Sequence, residues 1–171
     1  MKIAIIYTTK GGTTRECAEL LAKELNTQDV DVYDMDEKPD VQSYDTIVIG
    51  FPIRGARPAK KAKRYINENE KVLLEKRVAY YMCCGFIDCE DEYAEKALPK
   101  ELRDNALTVT CLGGSLDPSR FKGFDKVIVK AVRNEILGGG ENGEQRDDMC
   151  LPTILDENIA QLADLIKSLS H

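Results

Sequence analysis

The chain has 171 residues, a formal net charge of −6, 43% hydrophobic and 32% charged residues. That length and balance suit one folded domain with its own core and exclude a disordered chain. The acidic balance excludes a nucleic-acid binder, whose affinity rests on neutralising phosphates, and no apolar stretch approaches the length of a bilayer-spanning helix.

Residues 2–7 form an apolar run with little alternation, as expected of a strand buried on both faces of a parallel sheet. No cleavage site follows it, so the expectation is a cytoplasmic protein without a secretion signal. Cys17, Ala18, Leu21, Ala22 and Leu25 then share one helical face. Val30, Val32 and Tyr33 predict a second strand, and Ile47 to Ile49 a third, closed by Gly50 and Pro52. Pro58 to Asn67 predicts a helix with Pro58 in its first turn, extended by Val72 to Glu75. Val78 to Cys83 is a fourth strand, Asp91 to Leu98 a helix ended by Pro99, and Leu107 to Leu112 a fifth strand. Phe121 to Ile136 is helical, Gly138 to Asp148 a loop, and Asp156 to Leu169 a final helix.

Alternating strands and helices imply βαβ units in a doubly wound α/β sheet of five parallel strands, read as a single domain over 1–171. The stretch between Leu112 and Asp156 is longer than a minimal connection requires. Ligands of such sheets bind beyond the carboxyl ends of the strands, where strand order reverses. Three segments occupy those places: TTKGGTT (8–14), GFPIRGARP (50–58) and CCGFIDCEDEY (83–93).

The first segment admits two readings. A helix N-terminus offers unpaired N–H groups and partial positive charge to an anion. Gly11 and Gly12 let the backbone approach closely, and Thr8, Thr9, Thr13 and Thr14 add hydroxyls. Alternatively it is a plain turn with Thr13 as N-cap. The Walker and G-x-G-x-x-G patterns are absent. A receiver domain would need clustered acids where this chain has TTK, and a small tyrosine phosphatase a loop cysteine, whereas Cys17 lies on the helix's apolar face.

YTTKGGTTRECA resembles the phosphate loop of flavodoxins, with Thr9, Gly12, Thr13 and Thr14 at matching places and Gly11 departing from the usual residue. IVIGFPIRGARPAKKAKRYI resembles their second flavin loop. CLGGSLDPSRFKGFDKVIVKAV is similar to a segment of the oxygen-independent protoporphyrinogen oxidases, which are flavodoxin-like flavoproteins. The resemblance covers nearly the whole chain and implies strand order 2-1-3-4-5 and one FMN. Its phosphate would lie on Thr8, Thr9, Lys10, Gly11, Gly12, Thr13 and Thr14. Its ring would lie between Pro52, Ile53, Arg54 and Gly55 on one side and Cys84, Gly85 and Phe86 on the other. Arg54 stands where a ring-stacking aromatic often occurs, and its guanidinium can stack on a flat ring. Phe86 is the expected ring cover in the third loop, with Tyr93 as its rival.

The resemblance implies an electron-transfer protein with a redox partner protein or a small-molecule or quinone acceptor, and no metal. The alternatives are a flavin-dependent dehydrogenase of the protoporphyrinogen oxidase type and a flavin-free binding module. No acid, base or nucleophile is required of the side chains, which suits a chain whose single histidine is His171.

Six cysteines are present: Cys17, Cys83, Cys84, Cys89, Cys111 and Cys150. In a cytosolic chain they are expected as thiols, and adjacent or five-apart cysteines lack the C-x-x-C spacing of zinc and iron–sulfur sites. In the late segment, Phe121, Phe124, Val127, Ile128, Ala131 and Val132 recur at helical spacing opposite Lys122, Lys126, Lys130 and Arg133. Either the stripe packs on the domain, or residues 121–135 meet a partner or a membrane surface. Asp117 and Arg120 are candidates to border a substrate groove.

Overall fold

The structure, a computed structural model, describes residues 1–27, 29–85, 89–136 and 152–169. Phe86, Cys150, His171 and the loop expected from Gly138 to Asp148 lie outside the described residues.

In chain order the strands are β1 (Ile3–Tyr7), β2 (Val30–Asp34), β3 (Thr46–Arg54), β4 (Arg57–Pro58), β5 (Arg77–Cys83) and β6 (Thr108–Cys111). The helices are α1 (Thr13–Leu25), α2 (Lys60–Glu75), α3 (Glu90–Ala97), α4 (Lys100–Asp104), α5 (Gly123–Ile136) and α6 (Asp156–Ser168). The sheet runs β2-β1-β3-β5-β6, all parallel, with β4 added antiparallel to β3. Apart from β4, this is the order expected of the five-stranded doubly wound fold.

Side chains alternate across a strand, so the sheet divides the core in two. Ile6, Ile49, Phe51, Tyr80 and Met82 pack with Ile66 of α2 and Ala94 of α3. Ile3, Ile5, Val48, Ala79 and Tyr81 pack with Leu21 of α1 and Ile159, Leu162 and Ile166 of α6. This two-sided burial explains why the central strands read as continuous apolar runs.

Several boundaries differ from the expectation. β3 does not stop at Gly50 and Pro52. It continues to Arg54 because β5 supplies a partner as far as Pro52, opposite Cys83, and β4 supplies one for Ile53 and Arg54. Pro58 belongs to β4, not to a helix first turn, and α2 starts at Lys60. β3 and β4 form a hairpin whose two turn residues, Gly55 and Ala56, both have positive φ, 55° and 57°. Two left-handed residues are what a type I′ turn demands, and its twist matches the flanking strands. Pro99 ends α3 as expected, but α4 then follows, with Pro99 as its N-cap.

The register sets the site. Tyr7 pairs with Gly50, and Pro52 with Cys83. The Thr8 N–H then donates to the Gly50 carbonyl at 3.0 Å. The ends of β1, β3 and β5 therefore reach one edge together, where β1 lies between β2 and β3 and the order reverses. Gly50 is required there: a Cβ on it would meet the Tyr81 ring at 1.9 Å. The Tyr81 hydroxyl crosses the sheet face to donate to the Thr14 carbonyl at 2.8 Å, fixing the start of α1.

Candidate functional site

A cavity of about 680 Å³ opens at this edge, within the range usual for small-molecule sites. Thr9, Lys10, Gly11, Thr13 and Thr14 line it from the first loop, Pro52, Ile53, Arg54 and Gly55 from the second, and Cys84 and Gly85 from the third. Of the remaining expected residues, Thr8 is buried with its N–H in the sheet ladder, Gly12 lies beside the lining residues as the cap of α1, and Phe86 is outside the described residues.

The first loop is built around Gly12. Its φ of 87° is left-handed, and it, not Thr13, is the N-cap of α1. Its N–H donates to Thr9 Oγ1 at 2.9 Å, which curls the loop. No side chain caps the helix, so the N–H groups of its first turn stay available to an anion. Thr13 and Thr14 are buried at that turn. The Thr14 hydroxyl also reaches Cys83, where its hydrogen bond pulls the thiol's pKa down against the stronger upward pull of Cys17 and burial.

One wall of the cavity comes from the late segment that begins at Phe121. The tip of the Phe121 ring packs against the first loop, and a Cβ on Gly11 would stand 2.4 Å from its ring. The Arg54 guanidinium carbon sits 5.3 Å from the centroid of the same ring, a cation–π distance. Asp125, in the first turn of α5, joins the two loops: one carboxylate oxygen is 2.5 Å from Lys10 Nζ and the other 2.7 Å from Arg54. Hydrogen bonds from Lys10 and Arg54 hold its carboxyl below the usual range. Ile128, Val129 and Val132 of α5 complete that side.

The apolar stripe of α5 is thus divided. Val129 is buried on the cavity, whereas Phe124 is 78% and Val127 63% exposed, so the stripe does not pack on the domain as a whole. Asp117 and Arg120 do not border the cavity. Asp117 caps the turn Pro118–Arg120 by accepting from the Ser119 N–H at 2.9 Å, and Arg120 pairs with Glu16 of α1 at 2.6 Å. Tyr93 does line the cavity, from α3. Burial, with a hydrogen bond to Cys89, pushes its hydroxyl up to about 12, so it is present as the neutral phenol. Nothing at the positions of Phe121 and Asp125 points to the cavity, because both act by reaching back to residues far earlier in the chain.

The family model of the flavodoxin domain matches residues 4–142. The chain belongs to the flavodoxin domain family. It is accordingly an FMN-binding electron-transfer protein of flavodoxin-like fold. Among curated proteins it is similar to the protoporphyrinogen IX dehydrogenase [quinone] of Escherichia coli strain K12, with 24% identity over all of this chain and 96% of that one. Among solved structures it is similar to flavodoxin 2 of Bacillus cereus, at 16% identity, TM-score 0.53 and 99% of each chain. It is also similar to Fusobacterium nucleatum flavodoxin bound to flavin mononucleotide, at 12% identity, TM-score 0.54 and 98% of each chain. These two likenesses concern the fold.

The residues present fit FMN. An uncapped helix start with threonine hydroxyls and Lys10 suits a phosphate. The adjoining apolar space, bounded by Arg54, Tyr93 and Phe121, suits a flat ring.

Proposed function

We propose that the cavity at the β1, β3 and β5 ends holds one FMN per chain, with its phosphate on the first loop and its ring between the second and third. The observation that carries this reading is the convergence of all three loops on one cavity beside an uncapped helix N-terminus. Bound FMN supplies one- and two-electron redox chemistry at its ring. The protein contributes position and charge. Gly11 and Gly12 permit close approach, Thr9, Thr13 and Thr14 provide neutral donors, and Lys10 adds a cation. Arg54 sets positive charge at the ring side of the cavity, and Ile128, Val129 and Val132 keep water from it.

The second reading is a dehydrogenase that delivers electrons to a quinone. It is favoured by the full-length similarity to a quinone-linked dehydrogenase and by α5. Phe124 and Val127 stand exposed there among Lys122, Lys126, Lys130 and Arg133, a pattern that suits peripheral contact with an anionic membrane surface, where quinones reside. Among the described residues no helix is long and apolar enough to cross a membrane. We place the chain in the cytoplasm as a single domain over 1–171.

Purified protein should show flavin absorption, or acquire it on adding FMN. A colourless protein that takes up none refutes both readings and leaves only the flavin-free binding module. Anaerobic oxidation of protoporphyrinogen with a quinone acceptor selects the dehydrogenase, and its failure in a yellow protein selects the electron carrier. Replacing Phe124 and Val127 by serine should weaken binding to anionic vesicles, and unchanged binding would remove the membrane contact.

A further inference from the structure

Successive residues of a strand face opposite ways, so Cys83 and Cys84 enter different halves of the core. Each meets another thiol there. Cys83 donates to Cys17 of α1 with the sulfurs 3.6 Å apart. Cys84 meets Cys111, at the end of β6, with the sulfurs only 2.8 Å apart. The first is an ordinary thiol contact. The second lies well inside one, toward the ~2.05 Å of an S–S bond. None of the four is joined in a disulfide.

The pairs also differ in their surroundings. The hydrogen bond to Cys17, with burial, pushes the Cys83 thiol far up, where it is inert. At Cys111 the Cys84 thiol and the N–H groups of Gly113 and Cys84 all serve the sulfur, and they bring its pKa down despite burial. The Cys111 N–H is tied to Glu90 Oε2 at 3.0 Å, and its carbonyl accepts from Asn158 at 2.8 Å, so its place is fixed. Cys84 lines the cavity and is 4% exposed, while Cys111 lies behind it, fully buried.

We propose that Cys84 and Cys111 form a redox-active dithiol–disulfide pair in the cavity wall, exchanging two electrons with the flavin. The inference rests on the FMN reading of the cavity. In one direction the Cys84–Cys111 S–S bond breaks and two S–H bonds form, while reduced flavin loses two electrons and two protons and becomes oxidised. In the other, two S–H bonds break, the S–S bond forms, and the same electrons and protons reduce the flavin. Cys84 is the sulfur on the flavin side, and Cys111 is the leaving sulfur, its thiolate met by backbone N–H groups.

The test equilibrates the flavin-loaded and flavin-free protein anaerobically in dithiothreitol redox buffers, then unfolds, alkylates and maps the thiols by mass spectrometry. Cys84 and Cys111 should lose alkylation together in one two-electron transition, their joined peptide two hydrogens lighter, while Cys17 and Cys83 remain alkylated. Cys84→Ser and Cys111→Ser should abolish the transition, and Cys89→Ser should leave it. In the disulfide form of the loaded protein, flavin reduced by light should regain its yellow absorbance without oxygen as two thiols appear, and should fail to do so in Cys111→Ser. The proposal is overturned if both thiols stay separately alkylated at every potential, if Cys84 bridges to Cys89 instead, or if the flavin stays reduced beside an intact disulfide. A protein that binds FMN yet lacks the transition refutes the pair alone. One that shows the transition yet binds no FMN supports the dithiol and overturns its coupling to flavin.

Discussion

Gly114→Ala tests how closely the walls of the cavity are pressed together. A Cβ at Gly114 would stand 2.5 Å from the Cys84 carbonyl oxygen, 2.8 Å from its carbon and 3.2 Å from the Gly85 nitrogen. All three are backbone atoms, so none can rotate aside. Ordinary contact begins near 3.4 Å, and the third loop would have to retreat by about 0.9 Å. The Cys84 N–H holds that loop by donating to the Gly113 carbonyl at 2.9 Å, while Gly114 is itself anchored by its N–H donating to the Thr153 carbonyl at 3.1 Å. Overpacking of this kind costs about 1–3 kcal/mol. At about 2–4 °C per kcal/mol for a chain of this size, a cost near 2 kcal/mol lowers Tm by roughly 4–8 °C. The displaced wall should also weaken FMN binding by roughly tenfold, or about 1.4 kcal/mol. Circular-dichroism melting and quenching of FMN fluorescence measure the two effects. Gly12→Ala is the contrast, because nothing lies within 4 Å of its Cβ and its φ of 87° exacts only the backbone cost, about 1–2 kcal/mol. A Gly114→Ala protein that melts with the wild type and binds FMN equally well would refute the close approach.

Three further substitutions probe the loops and the charges around them. Ala56 holds a φ of 57° in the β3–β4 turn, so Ala56→Asn should raise stability by roughly 0.5–1 kcal/mol, since Asn tolerates that region, and a lower Tm would count against the turn geometry. Arg54→Ala should lower the potential of the fully reduced flavin couple by removing positive charge from the ring side of the cavity, and an unchanged or higher potential would place that charge elsewhere. Burial raises the Glu90 carboxyl more than the Cys111 N–H lowers it. A raised acid binds more protons folded than unfolded, so its contribution is fully present below its unfolded pKa and is lost as pH rises through the folded one. Glu90→Gln should therefore melt above wild type at pH 7, with the gap closing below about pH 4, and equal melting at pH 7 would contradict the burial.

The sheet and the place of the site were legible because they follow from short-range pattern and a topological rule. The unbroken apolar run Ile3–Ile6 announced a strand buried on both sides, and the alternation of strands and helices placed three loops at one edge. What stayed hidden depends on distant partners. Gly50 and Pro52 look like stops, yet β5 pairs with both of them and β4 pairs with the two residues beyond, so tertiary pairing overrides local punctuation. β4 is two residues long and leaves no periodic trace. Phe121 and Asp125 read as a stripe residue and a helix acid, and only the folded chain sets them against Gly11, Lys10 and Arg54. The cysteines show the same division. Alternation along β5 separates Cys83 from Cys84, but nothing in the spacing names Cys17 and Cys111 as their partners.

The phosphate cradle at the start of α1 is tested most directly by titrating the flavin-free protein with FMN and, separately, with riboflavin, which lacks only the phosphate. One FMN should bind per chain, at least roughly a hundredfold more tightly than riboflavin, a gap of about 2.7 kcal/mol that two charge-assisted hydrogen bonds can supply. Equal affinity for the two, or no binding of either, would contradict it.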